Sequence, residues 1–402
     1  MKLRLFAGPL ADAVAHVARA LPARPPVPVL AGILLATGER GLTLSAFDYE
    51  VAATTSTGAE IADDGTALVS GRLLTDIAKT LPKGGEVDIE LSGARLLLTC
   101  GTAKFTLPTL PVEEYPALPP VPDTVLSVQA DALADAVAQV TVAASTDDAV
   151  PALTGVQMVL EGDRLTLAAT DRYRFAVREL TVQPTGTVPT AKPKRGRKKD
   201  TEQTAEEVRR AACTLLVPAK FLADATKAMG GEHPIRLGWT EGQLTLTTPD
   251  HSFGTRLLEG EFPKFRGMFP APADAVLTLT VAVGDALAAL KRVSLVATAN
   301  TPARLTVAAA SDGGTELLLE AGRGDDAHAT DRIPCNTVGA LEGGAAIAFN
   351  PGFLADALKA LAAPEATFHI THQHKPVLLT GRAGDLAESD YEHLLMPIRQ
   401  DG

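Results

Sequence analysis

Hydrophobic positions along the chain follow two periods, one typical of helices and one typical of strands. Leu10, Val14 and Val17 are spaced by four and three residues, which puts one apolar stripe on a helix. Alternating runs such as Glu86–Leu91 and Gly242–Thr247 place every second side chain on one face, as in a strand with one buried face. The pattern predicts an α+β fold in which helices pack on antiparallel sheet.

Two helical phrases each occur three times, and such an internal repeat indicates three copies of one structural unit. The first phrase is found at Leu10–Val14, Leu133–Val137 and, in a weaker form, Leu287–Leu290. The second phrase is found at Leu73–Lys79, Phe221–Lys227 and Phe353–Lys359. We therefore expect three similar domains, each with two helices packed on antiparallel sheet.

The boundaries of these domains are predicted from Pro-rich joins near Pro119–Pro122 and Pro270–Pro272. They give domains at 1–122, 123–272 and 273–402. The offset between the first and second copies is 123 residues for the first phrase but 148 for the second, so the middle domain contains an insertion, 184–212. The insertion includes the basic run Lys192–Lys199 and cannot bury itself, which predicts a flexible surface loop.

Charge is distributed unevenly along the chain. The formal net charge of −11 over 402 residues argues against a protein that coats nucleic acid without discrimination. The six predicted helices with their flanks nevertheless hold ten Lys or Arg against seven Asp, so the excess acid lies outside them. A basic helical face explains this count, and so does the ordinary helix propensity of Lys and Arg.

The sequence contains no recognisable catalytic or metal-binding motif. It has no HExxH pattern, nucleophile elbow or phosphate-binding loop, and its three widely spaced cysteines are expected to be reduced thiols. His369, His372 and His374 lack the further ligands that a metal site needs. We expect no cofactor, no metal and no enzymatic activity. Apolar runs too short for a membrane span and the lack of a signal peptide predict a cytoplasmic protein with no membrane partner.

The segment Ala169–Arg178, which reads ATDRYRFAVR, resembles a strand motif of the bacterial sliding clamp family, the beta subunit of the replicative DNA polymerase. Further family motifs follow in order along the whole chain: Pro25–Leu30, Phe105–Pro111, Glu261–Arg266 and Leu394–Arg399. The resemblance implies the DNA clamp fold, with each chain forming half of a dimeric ring whose helices line a hole for duplex DNA. It also implies a non-catalytic processivity factor that tethers DNA polymerase, clamp loader and repair proteins.

The resemblance implies three sets of functional residues. Contacts to double-stranded DNA, made to phosphates without reading bases, fall on Arg24, Arg72 and Lys220. A pocket for short apolar peptides of partner proteins is implied at Leu153, Thr170, Arg174, Phe175, Pro263, Met268, Pro376, Leu394, Met396, Pro397, Ile398 and Arg399, with Arg174 and Arg399 suited to polar or acidic edges of a motif. The homodimer interface is implied to bring Phe105 and Leu107 against Leu295 of the other subunit.

Alternatives remain open for these assignments. Each basic residue is also explained as an ordinary surface cation, and the Met-Pro-Ile tail is also explained as core packing. The basic insertion is either a solvated loop without a specific role or an extra contact to DNA phosphates. Gly267 and His393 stand where the family commonly has a long polar residue and an aromatic. They favour, as a rival, a second-copy clamp with an altered pocket for repair synthesis or for tolerance of a clamp-directed inhibitor. A DNA-processing enzyme built on repeats is disfavoured, because no catalytic grouping is found.

Overall fold

The computed structural model describes residues 1–186, 213–265, 267–296, 301–311, 313–322, 327–341, 346–382 and 390–399. Except for its first three residues, the insertion predicted at 184–212 lies outside these ranges, and so does its basic run Lys192–Lys199.

The described residues contain six α-helices, two from each predicted domain. They are α1 (Ala7–Val17), α2 (Gly71–Thr80), α3 (Ala130–Thr141), α4 (Ala219–Ala228), α5 (Val283–Val293) and α6 (Pro351–Ala360). Local chemistry sets where two of them begin. The Ser70 side chain accepts the Leu73 N–H at the start of α2, and Asn350 Oδ1 accepts two backbone N–H groups at the start of α6.

Twenty-seven strands are found in the described residues. The first ten are β1 (Lys2–Phe6), β2 (Gly32–Gly38), β3 (Gly41–Phe47), β4 (Val51–Thr57), β5 (Glu60–Asp63), β6 (Thr66–Ser70), β7 (Glu86–Ser92), β8 (Arg95–Cys100), β9 (Ala103–Leu110) and β10 (Thr124–Val128). The next eight are β11 (Gly155–Glu161), β12 (Arg164–Thr170), β13 (Arg174–Thr181), β14 (Gln183–Pro184), β15 (Cys213–Pro218), β16 (Ile235–Trp239), β17 (Gln243–Thr247) and β18 (His251–Arg256). The last nine are β19 (Leu277–Ala282), β20 (Ala303–Ala309), β21 (Thr315–Ala321), β22 (Ala329–Pro334), β23 (Asn336–Gly339), β24 (Ile347–Phe349), β25 (Glu365–Ile370), β26 (Val377–Arg382) and β27 (Tyr391–Leu395).

One compact unit contains Met1–Ala134, Val182–Cys213 and Phe221–Leu257. Its described strands form one sheet in the order β14-β10-β16-β17-β18-β4-β3-β2-β6-β9-β8-β7-β1-β5. The strands of the first domain and those of half the middle domain join where β4 pairs antiparallel with β18. Helix α1 packs on β4 and on α2. Leu10, Val14 and Val17 are buried, which confirms the predicted apolar stripe.

The second compact unit contains Asp135–Thr181, Thr214–Lys220 and Leu258–Gly402. One sheet runs β15-β11-β12-β13-β27-β26-β25-β19-β23 and another runs β22-β21-β20-β24. The middle and third domains join where β13 pairs antiparallel with β27. Helix α5 packs on α6 and β22, and α6 packs on β27. The expected architecture, helices on antiparallel sheet in a three-fold repeat, is confirmed.

Candidate functional site

The C-terminal tail lies on the surface of the second unit. Strand β27 is held between β13 and β26, and beyond Leu395 the chain continues outside the sheet. The Met396 N–H donates to the Tyr173 carbonyl at 2.9 Å, and the Ile398 N–H donates to the Ala348 carbonyl at 2.7 Å. The side chains of Met396 and Ile398 nevertheless remain exposed. Backbone hydrogen bonds therefore fix the tail and leave its apolar side chains available for contact.

An aromatic cluster forms a buried floor beside this tail. Phe175 on β13 is surrounded by Phe262, Phe265 and Phe269, with ring centroids 5.7, 5.3 and 5.7 Å away. Leu394 on β27 pairs with Phe175 across the sheet and belongs to the same apolar cluster. Aromatic pairs of this kind contribute about 0.5–1.5 kcal/mol each beyond the area that they bury. The floor is therefore closely packed and apolar.

The loop between β12 and β13 is shaped by its own polar side chains. Asp171 Oδ1 accepts the N–H groups of Tyr173 and Arg174, both at 3.0 Å. Thr170 Oγ1 donates to the Arg174 carbonyl at 2.7 Å and accepts the Arg172 N–H at 3.1 Å. Arg172 consequently has a left-handed backbone with φ +78°, which L-residues other than Gly, Asn and Asp rarely adopt. The loop presents its backbone carbonyl at residue 173 to the tail.

Arg174 fastens this loop to helix α6. Its Nε donates to Asp171 Oδ2 and its Nη1 donates to Asp356 Oδ2, both at 2.9 Å. The guanidinium also lies over the Phe353 ring, 4.3 Å from the centroid. Only 10% of the Arg174 side chain is exposed. The resemblance implied that Arg174 meets the polar edge of a partner motif. In the structure its Nε and Nη1 are bound to Asp171 and Asp356, so Arg174 holds the loop against α6.

All the predicted pocket residues lie in the second unit. Leu153 and Arg174 line a cleft of about 330 Å³. Phe175 and Leu394 belong to the buried aromatic cluster, and Thr170 supports the loop between β12 and β13. Exposed members are Pro263, Met268, Met396, Ile398 and Arg399, whereas Pro376 and Pro397 are half-buried. Gly267 takes a left-handed φ of +96°, and Met268 N–H closes that turn on the Phe265 carbonyl at 2.9 Å.

His393 does not face the pocket. It is fully buried, and its Nδ1 lies 2.8 Å from the Tyr391 hydroxyl, which also contacts the Gln139 carbonyl at 3.1 Å. Burial, with a smaller effect of the Arg174 charge, lowers the pKa of His393 to about 3. Side chains alternate along a strand, so His393 points away from the face that carries Leu394. The residue therefore influences the pocket only through the sheet beneath it.

Comparisons with known proteins show the family to which the chain belongs. Models of the DNA polymerase III beta subunit fit the chain in three parts: the N-terminal domain at residues 1–119, the central domain at 127–191 and 198–264, and the C-terminal domain at 266–399. The beta sliding clamp of Streptomyces coelicolor is 45% identical over 410 residues, covering 100% of both chains. The chain belongs to the DNA polymerase III beta subunit family, the beta sliding clamps.

Other relatives extend the comparison. The beta sliding clamp homolog GriR of Streptomyces muensis is 37% identical and 97% of each chain is covered. The fold is shared with the Bacillus subtilis sliding clamp, at a TM-score of 0.85, 23% identity and full coverage of both chains. It is equally shared with a Pseudomonas aeruginosa clamp bound to griselimycin, at a TM-score of 0.85, 22% identity and full coverage of both chains.

The three cations implied by resemblance to sliding clamps are all exposed. Arg24 lies in the loop that follows α1, not on the helix itself. Arg72 and Lys220 occupy the second position of α2 and of α4. A cation near a helix N-terminus opposes the helix dipole, at a cost of about 0.3–1 kcal/mol. A basic residue at the second position of these helices lowers helix stability. Its presence in two of the three repeats therefore needs another explanation.

The residues implied at the clamp's dimer interface differ in exposure. Leu295 lies in a short 3-10 helix, Ser294–Val296, and 82% of its surface is exposed. Phe105 on β9 is half-buried. Leu107, two residues further along the same strand, is 1% exposed because it packs inside its own unit. The Leu107 side chain is therefore not available to a second copy. Leu107 can act at an interface only through its backbone in β9 and by supporting Phe105.

The described residues offer little for other chemistry. No group of three or more His, Cys, Asp or Glu among them could hold a metal ion. Cys100 and Cys213 are buried, and burial raises the pKa of the half-buried Cys335 thiol to about 11, which keeps it protonated near neutral pH. Within the same residues, no helix is both long enough and apolar enough to cross a bilayer.

Proposed function

We propose that two copies of this sliding clamp close head to tail into a ring around duplex DNA and tether DNA polymerase, clamp loader and repair proteins to it. The ring works in the bacterial cytoplasm by confinement and carries out no catalysis. The observation that carries this proposal is the apolar tail fixed at the surface over an aromatic floor, which suits a short partner peptide. A bound partner then finds DNA at a raised effective concentration. We infer that the three domains are 1–122, 123–272 and 273–402.

Arg24, Arg72 and Lys220 are the proposed contacts to DNA. Their support is their exposure and, for the two helical residues, their unfavourable position relative to the helix dipole. Phosphate contacts of this kind give affinity without sequence preference, and weak contacts permit sliding. The overall charge of −11 restricts attraction to such local basic positions.

The proposed peptide pocket uses exposed and buried residues differently. Met268, Met396 and Ile398 contact the peptide with adaptable apolar side chains, while Phe175 and Leu394 shape the floor beneath it. The remaining proposed members are Leu153, Thr170, Arg174, Pro263, Pro376, Pro397 and Arg399. Arg174 acts by holding the loop that presents the Tyr173 carbonyl to Met396.

The proposed dimer interface joins Phe105 and Leu107 to Leu295 of the other copy. At 82% exposure, the Leu295 side chain is accessible to a second copy. Within the described residues β9 pairs with β6 only at Thr109 and Leu110, which leaves Ala103–Leu107 with one edge for strand addition. Two copies related by two-fold symmetry then form two equal contacts.

Peptide binding tests the pocket. A variant that lacks Met396–Gly402 removes the tail but retains β27, which is needed because Tyr391–Leu395 lies inside the sheet. We expect its affinity for an apolar peptide taken from a polymerase subunit to fall at least about tenfold, which corresponds to the loss of one or two contact residues. The dimer should persist.

A shorter deletion, of residues 400–402, is the matched control, since it retains Met396–Arg399. Its affinity should equal that of the full chain in the same titration. Equal affinity of the longer deletion would refute the pocket assignment.

A second candidate is a paralogous clamp with an altered pocket. The similarity to the GriR homolog and to a clamp whose structure contains griselimycin favours it as a candidate for inhibitor tolerance. Titration with griselimycin distinguishes an ordinary replicative clamp from an inhibitor-tolerant paralogue. Tight binding supports an ordinary replicative clamp, whereas weak binding together with intact binding of the polymerase peptide supports a tolerant copy.

A further inference from the structure

The turn that shapes the peptide pocket has a counterpart in the other unit. Asp48 Oδ1 accepts the N–H groups of Glu50 and Val51 at 3.0 and 2.7 Å, as Asp171 Oδ1 does for the residues two and three positions after it. Tyr49, directly after Asp48, has φ +77°, against +78° at the corresponding Arg172. The two aspartates are 123 residues apart, which is the offset of the first repeat phrase.

The backbone beside this turn is also arranged in the same way. The Arg256 N–H at the end of β18 donates to the Glu50 carbonyl at 3.0 Å. In the other unit the Met396 N–H donates to the Tyr173 carbonyl at 2.9 Å. Each unit therefore contains the same junction of an Asp turn with a strand from the next repeat, and the peptide pocket is built on only one of the two junctions.

The two junctions differ in the side chains of the floor. In the second unit the paired positions are Phe175 and Leu394, which fill the space beneath the groove. In the first unit the equivalent pair is Ala52 and Gly254. These small residues leave a groove of about 370 Å³, within the range of sites that bind small ligands or single side chains.

Aromatic residues form one wall of this groove. Phe47 and Tyr49 have ring centroids 5.6 Å apart, and about half of Tyr49 is exposed. Phe47 is held in place because its N–H donates to the Tyr115 hydroxyl at 2.8 Å. At the rim, Glu50 and Arg256 are paired at 3.6 Å with both side chains largely exposed. The groove thus combines an open floor, an aromatic wall and one charge of each sign.

We propose that this surface, the Phe47 groove (Phe47, Tyr49, Ala52, Gln243, Gly254 and Arg256), binds a peptide segment of a partner protein through one aromatic side chain. The ring takes the space that the clamp's own Phe175 and Leu394 fill in the other unit, and it packs on Phe47 and Tyr49. Glu50 and Arg256 meet polar or charged groups of the flanking residues. The site is additional to the proposed peptide pocket and gives each chain two docking positions.

The experiment uses the variant that lacks Met396–Gly402, so that the pocket of the second unit is impaired. The probes are three acetylated five-residue peptides that differ only at the central position, which is Phe, Leu or Ala. Trp239 reports binding by fluorescence, since it is the only Trp of the chain and directly precedes Thr240 in the groove wall. We expect the Phe peptide to bind most tightly and the Ala peptide at least about tenfold more weakly.

Two substitutions test the location. Gly254→Leu fills the groove with a leucine, the residue found at the equivalent position 394 of the second unit. We expect the affinity for the Phe peptide to fall at least about tenfold. The two atoms nearest to the new Cβ belong to the side chains of Thr245 and Gln243, at 3.3 and 3.4 Å, and the Leu244 carbonyl oxygen is at an ordinary contact distance of 3.8 Å. Tyr49→Asn removes one aromatic ring of the wall, and Asn is a residue type that tolerates the left-handed backbone at this position. We expect the affinity for the Phe peptide to fall about three- to tenfold. Val338→Ser, at an exposed position outside the groove, is the control and should change nothing.

The outcomes separate this inference from the proposed function. If the full chain binds the Phe peptide and the tail deletion abolishes binding, the Phe47 groove is refuted and the tail pocket stands. If the tail deletion still binds the Phe peptide and Gly254→Leu and Tyr49→Asn both reduce that binding, the groove is supported, and the tail pocket is judged separately by the titration with the polymerase peptide. Residual binding that neither substitution alters overturns the proposal.

Discussion

Asp171 is the residue on which the pocket loop depends most. Its carboxylate accepts two backbone N–H groups and pairs with the Arg174 guanidinium, and only 12% of its side chain is exposed. Asp171→Ala removes all three interactions. Asp171→Asn retains an oxygen for the two N–H groups but loses the charge opposite Arg174.

The magnitude follows from these contacts. Hydrogen bonds to a charged group contribute about 1.5–3 kcal/mol each. The loss of three is reduced because the loop is exposed at Arg172 and Tyr173, where water replaces the carboxylate, and because Arg174 retains its bond to Asp356. We therefore expect Asp171→Ala to destabilise the loop by about 2–4 kcal/mol and Asp171→Asn by about 1–2 kcal/mol. Because the loop presents the carbonyl that holds Met396, peptide affinity should fall about tenfold in Asp171→Ala.

Hydrogen exchange at the Tyr173 and Arg174 amides measures the loop directly, and a peptide titration measures its effect on the pocket. Asp48→Ala is the matched control, because it breaks the equivalent turn of the first unit. It should expose the Glu50 and Val51 amides but leave affinity at the tail pocket unchanged. Full protection at 173 and 174 in Asp171→Ala, or equal loss of affinity in both variants, would refute the reasoning.

Three further predictions concern strain, pH and assembly. Arg172→Gly relieves a left-handed backbone and should raise the free energy of unfolding by about 0.5–1 kcal/mol, measured by urea denaturation, and a decrease would contradict this. Burial first, then neighbouring charges, lowers the pKa of His16 and of His393 to about 3. The unfolded chain takes up these protons from about pH 6.5 downward while the folded chain does not, so stability should fall by about 1 kcal/mol for each histidine between pH 6.5 and 5.5. A pH-independent unfolding midpoint that His16→Gln does not alter would exclude this. Leu295→Asp should weaken the dimer at least about tenfold in sedimentation at unchanged secondary structure, and an intact dimer would remove Leu295 from the interface.

Local patterns of the sequence were sufficient for much of the fold. The stripe of Leu10, Val14 and Val17 is buried as predicted, Glu86–Leu91 lies in strand β7, and the run predicted at Gly242–Thr247 matches strand β17, which begins one residue later. The ends of elements are less predictable. Helix α1 stops at Val17 and a 3-10 turn, Ala18–Ala20, leads to the prolines that follow.

The contacts among the predicted pocket residues could not be predicted from the sequence. Arg174 pairs with Asp356, 182 residues away, and no spacing rule connects two such positions. Phe353 and Tyr173, which lie beside them, were missed for the same reason. Burial of Leu107 and His393 depends on which face of β9 and β27 meets the core, and that is set by the neighbouring strands. The Phe47 groove required the register of β4 against β18.

Retention on circular DNA tests the central claim most directly. The clamp is placed on a nicked circle by a clamp loader, and its residence is followed at moderate salt before and after one cut by a restriction enzyme. A closed ring stays on the intact circle and slides off the linear product, because topology and not affinity holds it. Loss from intact circles as fast as from linear DNA would contradict the account.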